Sequence, residues 1–349
     1  MAPIKAVSSH VLIVISCVVV LLFTHVSASN GNKLKDLKVC GFDAIYNFGD
    51  SLSDTGNFVA EHPNRKPRKL VALDSIVNSA GFSSIKAYLD ANQTDSNNGV
   101  NFAYSGATAL SLDVLGPTLN ASSSIVKNTL NTQLQWLDKY LKGFCQQPED
   151  CKDKLKSSLF IMGEIGANDY SLAFMMSKKT IKELNKMNFA STVTKTIEKA
   201  IEKVIDYGAA RVLVPGIYQV GCAPGYAFGF KNSSKLDKFG CANEVNDFFK
   251  HHNDLLQATL ENLRKKYPGV SIVYGDYYSA MQFVLDKLQK FGFEYVTKAC
   301  EPFTYPAKGT PCSDPEKYIF RDVFHSTESS NKYMANWLIQ DIISKFGCK

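Results

Sequence analysis

Six histidines occur in 349 residues, and beyond residue 28 only His62, His251, His252 and His325 remain. His325 stands apart because Asp322 precedes it by three positions. One turn of chain can bring that carboxylate to the ring Nδ1 and leave Nε2 free to take a proton from a hydroxyl. His251 and His252 lie in a helical stretch, where a packing or solvated role is expected, and His62 sits in a polar loop between Glu61 and Pro63. An oriented imidazole serves ester cleavage by covalent catalysis, which also needs a nucleophilic hydroxyl and donors for the developing oxyanion. Ser51 is the candidate hydroxyl: it comes just after an apolar run ending at Phe48 and just before Asp54-Thr55-Gly56-Asn57. The same position also suits a helix N-cap. Candidate donors are the backbone N–H groups of Ser51 and Gly106 and the side-chain amide of Asn168. Singly, Gly106 and Asn168 read as ordinary turn residues; with Ser51 they make a site. The G-x-S-x-G elbow of another hydrolase class is absent.

These residues can cooperate only if the fold gathers them. Candidate strands run over residues 42–48, 100–104, 158–162, 211–214 and 271–274, short and mostly apolar as buried parallel strands are. Between them lie amphipathic stretches with apolar residues at helical spacing: Leu130, Leu134, Leu137 and Leu141; Ile197, Ile201, Val204 and Ile205; and Val245, Phe248, Phe249, His252, Leu255 and Leu256. A last helix is expected over residues 329–346. Alternation over the whole length predicts one parallel sheet covered on both faces through right-handed crossovers. Ligands of such sheets bind beyond the carboxyl ends of the strands, where strand order reverses. Ser51, Gly106 and Asn168 follow the first, second and third candidate strands, so all belong to that one edge.

The chain is 45% hydrophobic and 21% charged, which excludes disorder over the whole length. A net charge of +6 without a run of basic residues argues against nucleic acid as a partner. Residues 1–28 read as a secretory signal: Lys5 supplies the charged start, residues 11–23 the apolar stretch and Val26-Ser27-Ala28 the cleavage site. The apolar stretch is shorter than the about 20 residues of a membrane anchor, so residues 29–349 are expected as a single domain without a stable anchor. Of nine cysteines, Cys17 leaves with the signal, and the even remainder suits disulfides in an exported chain. Short separations favour Cys145 with Cys151, Cys222 with Cys241 and Cys300 with Cys312, leaving Cys40 for Cys348, although spacing alone leaves the connectivity open. Sequons at Asn92, Asn120 and Asn232 fit passage through a glycosylating route. No Cys/His cluster has zinc-ligand spacing.

Four segments carry a family resemblance: Phe48-Gly49-Asp50-Ser51-Leu52-Ser53-Asp54-Thr55-Gly56-Asn57; Asn101-Phe102-Ala103 leading to Gly106-Ala107; Gly166-Ala167-Asn168-Asp169; and Asp322-Val323-Phe324-His325. In order and spacing they resemble the blocks of the plant GDSL esterase/lipase family of SGNH hydrolases, and the likeness covers nearly all of residues 29–349. The resemblance implies a three-layer α/β/α, flavodoxin-like fold with a central parallel five-stranded sheet. It implies Ser51 as nucleophile, Ser51, Gly106 and Asn168 as the oxyanion hole, His325 as base and Asp322 as its orienting partner. It also implies no metal and no organic cofactor.

The chain departs from that family in places. The Thr-Gly-Arg-Phe-Ser element that relatives carry between the first two segments is missing, and a short basic stretch, residues 62–69, stands there. Arg321 occupies a position where relatives often have Trp, and Ser326 follows His325 where Pro or Leu is frequent. The loop from Cys300 to Cys312 is compressed. Since loops at strand ends set specificity, these changes predict an altered pocket, with Phe58, Tyr104, Tyr170 and Phe174 as possible wall residues or as core. The expected activity is a serine carboxylesterase acting on a small acyl ester, such as one of a plant specialised metabolite, in the apoplast or vacuole. Acyl transfer to an alcohol, a repurposed cyclase-like or lyase-like reaction and a non-catalytic binding role are the alternatives.

Overall fold

The run Ile45–Phe48 is buried at every position, as a strand covered on both faces must be. It forms β1 at the centre of a parallel sheet in a computed structural model that describes residues 36–64, 71–90, 98–119, 128–145, 148–232, 235–301 and 310–349. The other strands of that sheet are β2 (Lys86–Ala87), β3 (Gly99–Asn101), β4 (Leu159–Met162), β5 (Arg211–Pro215) and β6 (Ser271–Gly275). Their order is β2-β3-β1-β4-β5-β6, and every pairing is parallel. The sheet is therefore six-stranded, where five strands were expected. The extra edge strand β2 has only two residues, one of them the exposed Lys86, too short for any period to mark it. Without it the order is that of a flavodoxin-like sheet, and the chain changes direction of travel between β1 and β4.

Helices α1 (Asn57–Glu61), α2 (Val71–Ser79), α3 (Leu130–Phe144), α4 (Ala167–Ser171), α5 (Phe189–Tyr207), α6 (Asn243–Lys266), α7 (Tyr277–Leu285) and α8 (Glu328–Phe346) supply the outer layers. α5 packs against α3 and α6, and α8 against α2 and α7. The leucine stripe of α3 is fully used, with Leu130, Leu134, Leu137 and Leu141 all buried. α8 begins at Thr327, whose hydroxyl accepts the Ser330 N–H, an N-cap. Beyond the main sheet, β7 (Tyr295–Ala299) pairs in parallel with β8 (Tyr318–Phe320) and so fixes the approach to His325. Gly99 has φ +98°, and a Cβ there would run into the Ile45 carbonyl, so only glycine lets β3 begin flush against β1.

Residues Asp36–Lys349 form one unit by their contacts. Disulfides join Cys40 to Cys348, Cys145 to Cys151, Cys222 to Cys241 and Cys300 to Cys312. The signal segment, the basic residues 65–69, Asn92 and Asn120 lie outside the described residues, whereas Asn232 is exposed. Among the described residues no helix is long and apolar enough to cross a membrane.

Candidate active site

Three strand ends and one distant loop meet at a cavity of about 590 Å³, lined among others by Ser51, Gly106, Asn168 and His325. The turn after β1 carries Ser51, and its side chain does not cap a helix. Its Oγ lies 2.8 Å from His325 Nε2. His325 Nδ1 faces both oxygens of Asp322, at 2.8 and 2.9 Å. Asp322 Oδ1 also accepts the N–H groups of Phe324 and His325, closing a tight Asx-type turn. Burial alone would raise the Asp322 carboxyl, but the bond to His325, the charge of that ring and the two backbone donors outweigh it and hold the carboxyl well below its ordinary range.

The loop bearing the imidazole is clamped from several sides. The Arg321 N–H donates to the His325 carbonyl at 2.8 Å, and Phe320 and Ser326 form an antiparallel bridge. Tyr218, just after β5, donates its hydroxyl to the Phe324 carbonyl at 2.5 Å.

Backbone amides around Ser51 are nearly all committed. Asp50 N–H goes to the Glu164 carbonyl, Leu52 N–H to the Asp50 carboxyl and Ser53 N–H to the Asp50 carbonyl. Beside Gly106, Ser105 N–H donates to Asp54 and Ala107 N–H to the Tyr104 carbonyl. Among the described residues the N–H groups of Ser51 and Gly106 themselves have no protein acceptor. Gly106 has φ +84°, a left-handed turn that suits glycine and directs the chain between its two tied neighbours. Asn168 Nδ2 donates to the Ala107 carbonyl at 2.9 Å and lies 3.2 Å from Asp50 Oδ2. The amide is thus held at the cavity edge by one good bond and one longer one.

A buried polar scaffold sets these positions. Asp54 accepts the N–H groups of Gly56, Asn57 and Phe58 at the start of α1, and also that of Ser105. Asn57 donates to the carbonyls of Asn101 and Ala103, and Asn101 in turn donates to the Ser53 carbonyl. Asp169 accepts the N–H groups of Ala109 and Leu110, tying the β4 turn to the β3 turn. Gln133 exchanges two hydrogen bonds with the backbone of Gly49, two residues before Ser51. Sequence reasoning passed over Gln133, Tyr218 and Asp50. Gln133 does leave a trace, being a polar residue inside the leucine stripe of α3.

Of the proposed wall aromatics, only Phe58 lines the cavity. Tyr104, Tyr170 and Phe174 are buried in the core, where Tyr170 donates to or accepts from His252 Nδ1 at 2.7 Å. Tyr218, Tyr226 and Phe324 take the expected aromatic places. His62 stacks on Phe58 and His251 is exposed on α6, so neither approaches Ser51 as His325 does.

A parallel flavodoxin-like sheet with serine, imidazole and carboxylate in line at its switch point is the architecture of an SGNH-type hydrolase. The chain matches the family described as GDSL-like Lipase/Acylhydrolase over residues 45–338 and belongs to it. It is a hydrolase acting on ester bonds. Acetylajmalan esterase 2 of Rauvolfia serpentina is 33% identical over 344 residues, covering 89% of this chain and 93% of that protein. A GDSL esterase/lipase of Arabidopsis thaliana is 34% identical over 323 residues, covering 88% and 92%. Among solved structures, phospholipase A1 from Streptomyces albidoflavus overlays with a TM-score of 0.41 at 16% identity, covering 87% of this chain and 98% of that one.

Proposed function

We propose that the protein is a serine carboxylesterase that cleaves a compact, uncharged ester through an acyl-enzyme on Ser51. The observation that carries this reading is the 2.8 Å contact of Ser51 Oγ with His325 Nε2, at a cavity where two backbone donors stand unused. His325 Nε2 takes the hydroxyl proton as Oγ attacks the ester carbonyl carbon. The N–H groups of Ser51 and Gly106 and the Asn168 amide receive the negative oxygen. The bond to the alcohol oxygen breaks, and His325 returns the proton to that oxygen. Water, deprotonated by the same imidazole, then attacks the acyl carbon, the bond to Ser51 Oγ breaks, and the imidazolium returns its proton to that oxygen as the acid leaves. Asp322 holds the ring in orientation and offsets the positive charge it acquires.

The cavity walls support a substrate class. Leu52, Phe58, Val59, Val220, Ala223, Tyr226 and Phe324 are apolar or aromatic, and among the described residues no lysine or arginine lines the cavity. An anionic ester would find no counter-charge there, whereas a small acyl group on a rigid apolar alcohol would bury well. Relatives that are acetylajmalan esterases support an acetyl or similarly small acyl group on a plant specialised metabolite. The leader-like residues 1–28, four disulfides and the exposed sequon at Asn232 support passage through the secretory pathway to the apoplast or vacuole.

Labelling with a serine-directed fluorophosphonate, mapped by peptide mass, tests the nucleophile: Ser51 should carry the label. Hydrolysis of acetyl esters should show a burst of alcohol before steady release of acid. Failure of well-folded protein to label would favour a binding role, and transfer of the acyl group to an added alcohol would favour an acyltransferase.

A further inference from the structure

Within the largely apolar cavity stands a polar pair that the reaction scheme does not use. Ser171 Oγ and the Tyr226 hydroxyl oxygen are 2.8 Å apart, and both residues line the cavity. Ser171 Oγ also lies 3.0 Å from the Ala167 carbonyl, one turn back on α4, and a carbonyl can only accept. A serine hydroxyl has a single hydrogen, so Ser171 spends it on Ala167 and Tyr226 donates to Ser171. Both hydrogens of the pair are thereby used, while each oxygen keeps an acceptor position that no donor fills among the described residues. The Tyr226 ring is held in place, meeting Phe174, Phe249 and Phe324 edge-on at 6.0 Å between centroids. Burial raises the phenol above its ordinary titration range, so it stays a neutral hydroxyl. Ser171 follows Asn168 by three positions on α4, and residues so spaced share a helix face with Cβ atoms about 5–6 Å apart. The pair therefore stands about one helical turn from the amide that receives the oxyanion.

We propose that Tyr226 and Ser171 form a specificity site that reads a hydrogen-bond donor, a hydroxyl or a neutral N–H group, on the otherwise apolar body of the ester. The inference rests on the reading of Ser51 as nucleophile given above and names the substrate class of that same site. A donor on the substrate completes a chain in which each hydroxyl donates to the next: substrate to Tyr226, Tyr226 to Ser171, Ser171 to the Ala167 carbonyl. An ester with only carbon at that place strips water from the two oxygens and returns nothing. An ether or carbonyl oxygen there meets only lone pairs, so the site also tells a donor from an acceptor. Neighbouring polar groups are engaged elsewhere: Tyr218 donates to the Phe324 carbonyl, and Asp54 accepts backbone N–H groups at the start of α1. The substrate class is thus an ester that carries a free hydroxyl or N–H group about one helical turn from its carbonyl.

The test compares kcat/KM for phenethyl acetate, its ortho, meta and para ring-hydroxylated analogues and the matching methoxy analogues, in wild type, Tyr226→Phe and Ser171→Ala. The readout is the ratio between esters within one protein, so a general loss of activity in a variant cancels. In wild type one ring position should make the hydroxylated ester about 10-fold better than phenethyl acetate, with no such gain from methoxy. Tyr226→Phe, which removes one oxygen, should bring that ratio close to one. Ser171→Ala should narrow the hydroxyl-to-methoxy ratio by about threefold or more, because the freed Tyr226 hydrogen can then serve an ether oxygen. Protection of Ser51 from phosphonylation by the same esters supplies the ratios where a variant turns over too slowly to time. A wild type that favours no hydroxyl position or prefers methoxy to hydroxyl, or a preference that survives in Tyr226→Phe, would overturn the inference, as would a hydroxyl-to-methoxy ratio unmoved in Ser171→Ala. The underlying reading fails by a different result, namely Ser51→Ala turning over the esters at the wild-type rate.

Discussion

Ser51 Oγ and His325 Nε2, separated by 274 positions in sequence, meet at 2.8 Å. Such a contact is long-range in chain but short in topology, because β1 lies at the centre of the sheet and the loop before α8 returns to its carboxyl edge. Ser51→Ala and His325→Ala should each lower kcat on an acetyl ester by about 10⁴-fold or more. The double variant should be no slower than the worse single one, since the two groups act as a unit. Steady-state kinetics with all three proteins checks this. Additive losses would separate the two side chains in function.

The Asn168 amide is presented to the cavity by the Ala107 carbonyl at 2.9 Å. Its second hydrogen meets Asp50 at the longer 3.2 Å, a bond that can open toward a developing oxyanion. Asn168→Ala should therefore lower kcat by about 10²- to 10³-fold, the usual cost of one oxyanion donor, with little change in KM. A loss confined to KM would place the amide in ground-state binding instead.

The parts of this site that could be read from the sequence are those whose signal is local. Asp322 and His325 lie within one turn, and Ser51, Gly106 and Asn168 each follow an apolar run that packs as β1, β3 or β4. The sheet edge follows from that placement by topology alone. Gln133 and Tyr218 were opaque because they bond backbone 84 and 106 positions away. No spacing rule connects residues so far apart. Which of the four aromatics would be wall and which core was left open for a related reason. Tyr104 and Tyr170 follow strands on the correct edge, but their rings turn into the core, where Tyr104 reaches Glu61 and Tyr170 reaches His252. Proximity in sequence to a candidate site residue does not decide on which side of the backbone a ring packs.

Cys40 and Cys348 close a loop of 308 positions, tying the segment ahead of β1 to the end of α8. Phe42 and Phe346 pack edge-to-face beside the bridge at 5.7 Å. Replacing both cysteines by serine should destabilise the fold by about 2–5 kcal/mol, chiefly by freeing the unfolded chain. Thermal unfolding should show the loss, while kcat/KM at 25 °C should stay at the wild-type value, because neither cysteine lines the cavity.

Asp50, Glu164 and Asp169 are buried beneath Ser51, and among the described residues no basic side chain pairs with them. Burial pushes Asp50 and Asp169 up to about 7 against the pull of backbone donors, and it holds Glu164 well above the ordinary carboxylate range, with Asp50 adding to the rise. In the unfolded chain such groups titrate near about 4. A raised folded value means that the native state binds more protons across the interval. Its stabilisation is full below about pH 4 and is lost as pH rises through about 7. His252, pushed down to about 3 by burial and then by His251, works the other way. Its contribution is present above about pH 6.5 and is lost as pH falls. Three carboxyls outweigh one imidazole, so the melting temperature should decline between about pH 5 and pH 7.5. Asp50→Asn, neutral throughout, should show a shallower decline whatever its absolute Tm. A wild-type Tm that climbs over this range would mean that these carboxyls ionise without cost in the folded protein.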